Sequence, residues 1–288
     1  MSLVHMWLAS GSAVMVIAAT VAQGPMFSGA ESYERFMGRW SRAMAPLLVR
    51  FAGVRDGEAI LDVGAGTGAL SDAIAATASS IRITGIDPAE PYVAYAKARH
   101  PGDRVRFEVG DAQQLRFGNA AFDRTLSLLV VNFIPDHAKA MKEMIRVTRP
   151  GGTVAAVVWD YGEGMQMLRF FWDEAVALKP AAEPKDERHM PLTRRGELAA
   201  LWRTSGLADV VEEALTIEMR FSSFDDYWAP FLEKQGPAGS FVETLSVAER
   251  EQLRQGLQRR LKVDQADRGF TLSGRAWAVK GLVPAVSR

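Results

Sequence analysis

The sequence predicts an α/β protein: a doubly wound, mostly parallel sheet of about seven strands, with a helical insertion or lid near the C-terminus. Three observations carry that prediction. Five short apolar strand segments alternate with helical segments between residues 59 and 159, and such alternation builds parallel βαβ units with helices on both faces of a twisted sheet. A glycine-rich turn directly follows the first strand, and the second and third strands both end in a carboxylate. Ligands of open α/β sheets bind at those carboxyl ends.

The elements follow in order. Glu31 to Phe51 reads as a helix with Met44, Leu47, Leu48 and Phe51 at three-to-four spacing, ended by Gly53. Ala59 to Val63 is a short buried strand, Leu70 and Ile74 mark a helix, Ile81 to Ile86 is a second strand, and Pro91 to Arg99 is helical. Val105, Phe107 and Val109 alternate as a third strand, and Phe122 to Phe133 holds an apolar fourth. Asp136 can cap a helix carrying Met141, Met144 and Ile145, after which Pro150-Gly151-Gly152 turns into a fifth strand, Thr153 to Trp159.

Beyond Trp159 the texture changes. A helix with Met167, Phe171, Trp172, Ala175 and Leu178 leads to a proline- and charge-rich loop from Lys179 to Pro191, and a second helix holds Leu198, Leu201 and Trp202 and stops at Gly206. Ala214 to Phe221 and Phe270 to Val279 read as an antiparallel pair finishing the sheet. Between them Ser222 to Gln265 reads as helical, with a Ser246-to-Glu249 capping box and Leu253, Leu257 and Leu261 every fourth residue. This insertion is the natural lid. The expected division is an N-terminal extension over 1–30, a core over 31–160 and a substrate-side part over 161–288 containing the insertion at about 222–265.

Composition narrows the chemistry. The chain has 288 residues, 34 Lys plus Arg against 34 Asp plus Glu, and hence zero formal net charge, so no global attraction to nucleic acid is expected. It has no cysteine, and its four histidines stand apart at 5, 100, 137 and 189. Disulfides, thiol catalysis and a metal cluster are therefore not expected. Residues 3–22 carry no Asp, Glu, Lys or Arg and approach the length that spans a bilayer. The stretch reads as a membrane anchor or signal, or as a peripheral extension upstream of a start at Met26. As an anchor it would leave the main domain on the cytoplasmic side, because Arg35, Arg39 and Arg42 follow it.

The candidate ligand residues lie at consecutive strand ends. Ile60-Leu61-Asp62-Val63-Gly64-Ala65-Gly66-Thr67-Gly68 closes the first strand just before a helix. Glycines there allow a sharp turn and close approach of backbone to ligand. Gly64, Gly66 and Ala69 also satisfy the looser dinucleotide fingerprint, which keeps a nicotinamide-dependent oxidoreductase as an alternative. Asp87 ends the second strand 19 residues past Gly68, the interval at which an acid meets a ribose hydroxyl. Asp111 ends the third within Val109-Gly110-Asp111-Ala112, where it can accept from an adenine amine.

With these motifs the sequence resembles the class I S-adenosylmethionine-dependent methyltransferases, type 11, the ubiquinone/menaquinone-biosynthesis-like group, with a Rossmann-like core. Ile60 to Gly68 resembles the first motif, Gly85-Ile86-Asp87-Pro88 the second, Gly110-Asp111-Ala112 the third, and Arg146-Val147-Thr148-Arg149-Pro150-Gly151-Gly152 the signature before the fifth strand. The resemblance covers about Tyr33 to Asp160. It implies that Gly64, Ala65, Gly66 and Gly68 meet the methionine moiety of S-adenosyl-L-methionine, that Asp62 lies near its amino-acid end, that Asp87 with Pro88 holds the ribose, and that Asp111 with Ala112 holds the adenine. Val131 and Asn132 would face cofactor and substrate, and Tyr33 to Trp40 resembles a segment that closes over the site in some relatives.

The implied reaction is transfer of a methyl group to a small-molecule acceptor by in-line displacement, for which alignment is the main requirement. A general base depends on the acceptor; His137 and Tyr33 are the weak candidates. Tyr33, Trp40, Trp159, Tyr161, Arg169 and Trp228 are candidates for an acceptor pocket, against the plain reading that aromatics at such spacing belong to the core. Arg259-Arg260 reads as a solvated helix face. A catalytically silent cofactor-binding module is the further alternative. Because the cofactor is made inside cells, the expected location is cytoplasmic, with or without a tether through residues 3–22. Oligomeric state is unspecified by the pattern.

Overall fold

A computed structural model of the chain describes residues 29–263 and 269–285. The anchor, signal and extension readings of residues 3–22 fall outside the described residues. Among the described residues no helix is long and apolar enough to cross a membrane.

The chain enters through α1 (Ala30–Tyr33), a π-helical segment Glu34–Gly38 and α2 (Arg39–Ala52). Met44, Leu48 and Phe51 of α2 are buried, as their spacing requires, and Gly53 supplies the left-handed cap. Then follow β1 (Ala59–Val63), α3 (Ala69–Ala75), β2 (Arg82–Asp87), α4 (Glu90–Arg99), β3 (Val105–Val109), β4 (Phe122–Leu128), α5 (His137–Val147) and β5 (Thr148–Trp159). The C-terminal part comprises α6 (Gln166–Leu178), α7 (Glu197–Thr204), β6 (Ala208–Phe221), α8 (Phe224–Trp228), α9 (Gly236–Glu243), α10 (Val247–Leu261) and β7 (Phe270–Leu282).

These strands form one sheet in the order β3-β2-β1-β4-β5-β7-β6. The first five pair in parallel; β7 runs antiparallel to both β5 and β6. Strand order reverses between β1 and β4, so the crevice for a ligand opens above the carboxyl ends of β1, β2 and β4. The pleat divides the core between the two faces. From β5, Ala155, Val157 and Trp159 pack with α2, α6 and the insertion, whereas Val154, Ala156 and Val158 pack with α5 and α7. Each such fully buried valine stabilises the fold by about 1.5–3 kcal/mol. Asp136 caps α5 by accepting from Lys139 N at 2.9 Å, and Ser246 and Glu249 form the expected capping box on α10.

Four boundaries differ from the sequence reading. β4 stops at Leu128, because Leu129 adopts φ +62° and residues 131–133 turn as a 3-10 helix. β5 begins at Thr148, so the Pro150-Gly151-Gly152 turn is an irregularity inside the strand, where register with β4 shifts. β6 and β7 extend beyond the predicted pair because they zip together from Ala208↔Leu282 to Phe221↔Phe270. The insertion is broken rather than continuous: α8 leads into a 3-10 segment Ala229–Glu233, and Lys234 at φ +59° turns the chain before α9.

Candidate functional site

A cavity of about 480 Å³ lies above the switch point, between the sheet rim and the segments that begin and follow the core. Its floor is the turn after β1. Gly64 N and Ala65 N both donate to Ile86 O at 2.8 Å, which pins this turn across the end of β2. Gly64 has φ +73°, and a Cβ there would lie 2.4 Å from Val130 Cγ1. Gly66 has φ +53° with nothing within 4 Å of the place a Cβ would take, so its bare backbone borders open cavity.

Three carboxylates stand around this turn. Asp62, at the end of β1, is fully buried; its Oδ2 accepts from Ser71 Oγ at 2.7 Å, and its Oδ1 has no partner. Burial pushes its carboxyl up to about 7, against the hydrogen bonds from Ser71. Asp87 is clamped by two backbone donors, Gly66 N to Oδ2 and Ala89 N to Oδ1, both at 2.9 Å. Its burial outweighs those bonds and raises its pKa. Asp111 is exposed at the rim and accepts from Gln113 N at 2.8 Å, while Gln113 Oε1 accepts from Asp136 N at 3.2 Å. The sequence-predicted residues Asp62, Gly64, Ala65, Gly66, Asp87, Pro88, Asp111 and Ala112 all line this one cavity.

Other predicted residues sit elsewhere. Gly68 caps α3 rather than lining the cavity. Val131 is turned into the core on the opposite sheet face, and buried Asn132 donates to Met190 Sδ at 3.5 Å. The physical reason is the left-handed Leu129: the turn it starts directs Leu129, Val130 and Phe133 to the cavity in place of the predicted pair. His137 is the first residue of α5, two positions beyond the cavity-lining Pro135, and is not itself among the lining residues. Trp40 and Trp228 belong to the core, and Arg169 is consumed in a buried ion pair with Asp186 at 2.5 Å. Arg259 and Arg260 are exposed on α10, as read, and Arg260 also pairs there with Asp173 at 2.7 Å.

The remaining wall is largely apolar. Tyr33, Phe36 and Met37 come from the entering segment, Trp159 and Tyr161 from the end of β5 and beyond, and Gly236 and Pro237 from the insertion. Tyr33 Oη lies 3.0 Å from Ser41 Oγ, and its ring tilts against Tyr92 at 5.5 Å. Burial raises the Tyr33 phenol, so at neutral pH it keeps its proton and is a poor base. Three cavity-lining side chains carry buried polar atoms without a protein partner: Asp62 Oδ1, Tyr92 Oη and Trp159 Nε1. Buried polar atoms are normally satisfied, so these three are open to a hydrogen-bonding partner that the protein itself does not supply. Among the described residues no group of three or more His, Asp or Glu could hold a metal.

Two contributors were illegible in the sequence. Glu34 joins the entering segment to the glycine turn, accepting from Thr67 Oγ1 at 2.5 Å and pairing with Arg42. Glu187 reaches the cavity from within the charge-rich loop, where nothing in the local pattern separates it from its solvated neighbours.

A switch-point crevice with a glycine turn and an acid at each of three consecutive strand ends defines the cofactor-binding half of a class I methyltransferase fold. Residues 61–156, a third of the chain, match the family model described as a methyltransferase domain. A ubiquinone/menaquinone biosynthesis C-methyltransferase from Bdellovibrio bacteriovorus is 36% identical over 118 residues, 40% of this chain and 49% of that protein. The chain matches less than half the length of the first curated relatives. In fold, the chain is similar to a putative methyltransferase from Bacillus halodurans C-125, with TM-score 0.56 and 18% identity, covering 84% of this chain and 100% of the other. It is also similar to a Haemonchus contortus phosphoethanolamine N-methyltransferase in complex with S-adenosyl-L-methionine, with TM-score 0.55 and 20% identity, covering 89% of this chain and 57% of the other.

Proposed function

We propose that this chain is an S-adenosylmethionine-dependent methyltransferase acting on a small-molecule acceptor. The observation that carries the reading is the convergence of Gly66, Asp87 and Asp111 on one wall of a cavity whose opposite wall is apolar and aromatic. Bound there, S-adenosylmethionine would supply a methyl group on a sulfonium, open to in-line displacement. The protein's part is to hold and orient. Asp87, fixed by Gly66 N and Ala89 N, still has lone pairs for a ribose diol. Asp111 at the rim suits an adenine amine, and the unpartnered Asp62 Oδ1 suits an ammonium group. The Haemonchus protein bound to this cofactor, together with the family match, supports the same choice.

The apolar wall favours an acceptor of low polarity, and a cavity of about 480 Å³ is of the size that takes a small molecule. Calorimetry with S-adenosylhomocysteine tests the reading. Micromolar-range binding is expected, weakened at least tenfold in Asp87→Ala; equal binding by the variant would sink it. Titration with NADH is expected to show no binding, and saturable binding would favour the oxidoreductase alternative.

A further inference from the structure

Glu187 is a buried carboxyl, 4% exposed, on the cavity wall contributed by the C-terminal part. It lies in the 3-10 turn Glu187–His189, and the anchoring of that turn falls on its neighbour. Asp186 accepts from Arg169 at 3.0 and 2.5 Å and from Arg188 Nε at 2.7 Å, and it caps the turn through Arg188 N. The two guanidiniums are thus spent on Asp186, Asp173 and the Tyr161 carbonyl. Glu187 is left with one side-chain hydrogen bond, from Trp172 Nε1 to Oε2 at 2.5 Å, and no ion pair.

That arrangement is costly if it is only structural. A buried carboxyl with no direct ion pair is expensive, and any neutral acceptor would satisfy the Trp172 N–H. Burial, with the nearby Asp186 charge, pushes the Glu187 carboxyl up to about 7 in spite of the Trp172 N–H and the nearby Arg169 charge. It stands near the Tyr161 phenol, in a cavity whose lining also includes Met37, Trp159 and Leu168, so it is a polar point on a largely apolar wall. The Tyr161 phenol, raised by burial and by Glu187's charge, stays protonated and cannot replace it as an acceptor of protons.

We propose that Glu187 is the acceptor-recognition group of this cavity, taking a hydrogen bond from the O–H or N–H of a methyl acceptor that is otherwise apolar. The proposal rests on the methyltransferase reading above and adds to it the substrate class. Specificity of this kind follows from burial, since a ligand lacking the donor leaves the carboxyl unpaired.

The test uses the full chain saturated with S-adenosylhomocysteine and three small probes: 4-propylphenol, 4-propylaniline and the donor-free ether 4-propylanisole, titrated by saturation-transfer NMR. The wild type is expected to bind at least one donor probe five- to tenfold more tightly than the ether. In Glu187→Gln, the amide oxygen can keep the Trp172 N–H while the NH2 group faces the cavity, so the preference should vanish or invert. Trp172→Phe removes the tie but leaves the carboxyl, and should retain the preference. A wild type that does not discriminate, or a Glu187→Gln variant that discriminates as before, overturns the proposal. The two readings fail separately. Absence of S-adenosylhomocysteine binding in the wild type overturns the cofactor assignment, and the donor preference is then read on the cavity without it, by the same criteria.

Discussion

Thr67 Oγ1 donates to Glu34 Oε1 at 2.5 Å, tying the glycine turn after β1 to the π-helical segment that walls the cavity from the N-terminal side. Single π turns concentrate at functional positions, and here the wider turn has a use. Glu34 also pairs with Arg42, and a Cβ on Gly38 would lie 2.7 Å from Glu34 Cδ, so the carboxylate occupies the space a side chain at position 38 would need. The segment is thereby latched to the turn that borders the cofactor half. Glu34→Ala is expected to weaken S-adenosylhomocysteine binding three- to tenfold, about 1 kcal/mol for the lost bond, with Thr67→Val acting in the same direction and the double variant non-additive. Isothermal calorimetry on the three variants measures it; additive or absent effects would remove the latch.

The two glycines of the turn should fail in different ways. Gly64→Ala meets Val130 at 2.4 Å with φ +73° and is expected to destabilise the protein by about 3 kcal/mol or more. Gly66→Ala has only its φ of +53° against it and should cost about 1 kcal/mol. Its methyl borders the cavity, so ligand binding should fall at least tenfold in a protein that still folds. Urea unfolding paired with calorimetry separates the two outcomes.

Asp62 makes stability fall as pH rises. Its carboxyl is at about 7 in the folded protein, above the ordinary aspartate value, so the folded state holds the proton more tightly than the unfolded chain. The associated stability is complete below about pH 4 and is lost as pH climbs through about 7. Glu187 acts in the same sense. The lowered carboxylates, such as Asp123 and Glu249, titrate below this window with the opposite sign. Asp62→Asn should therefore flatten the decline in urea midpoint between pH 5 and 8, removing about 2 kcal/mol of it. An unchanged slope would show that the carboxyl is not raised.

Arg169 holds the proline- and charge-rich loop that follows α6. It reaches Asp186, Asp173 and Tyr161 O from one guanidinium, with Asp186 wholly buried. Burial opposes ionisation of Asp186, but the Arg169 and Arg188 contacts hold it below the usual carboxylate range. Arg169→Ala leaves the buried Asp186 charge with Arg188 as its remaining cation and is expected to cost about 3 kcal/mol, read by urea unfolding. The double variant Arg169→Met, Asp186→Leu should recover most of that loss.

The order of strands and helices was legible because hydrophobic periodicity is local: the alternation from Ala59 to Val109 and the spacing in α2 and α5 need no distant partner. Asp62, Gly64, Gly66, Asp87 and Asp111 were legible for the same reason, since a strand end and the turn after it sit a residue or two apart in sequence. What the tertiary structure alone decided is which side chains meet across the cavity. The inward face after β4 depended on the left-handed Leu129, whose conformation its residue type does not announce, and so Val130 and Phe133 took the place of Val131 and Asn132. Glu34 and Glu187 were chosen by contacts spanning 33 residues to Thr67 and 15 to Trp172. In one-dimensional order a buried acid and a solvated one read alike; only folding removes the water that separates their roles.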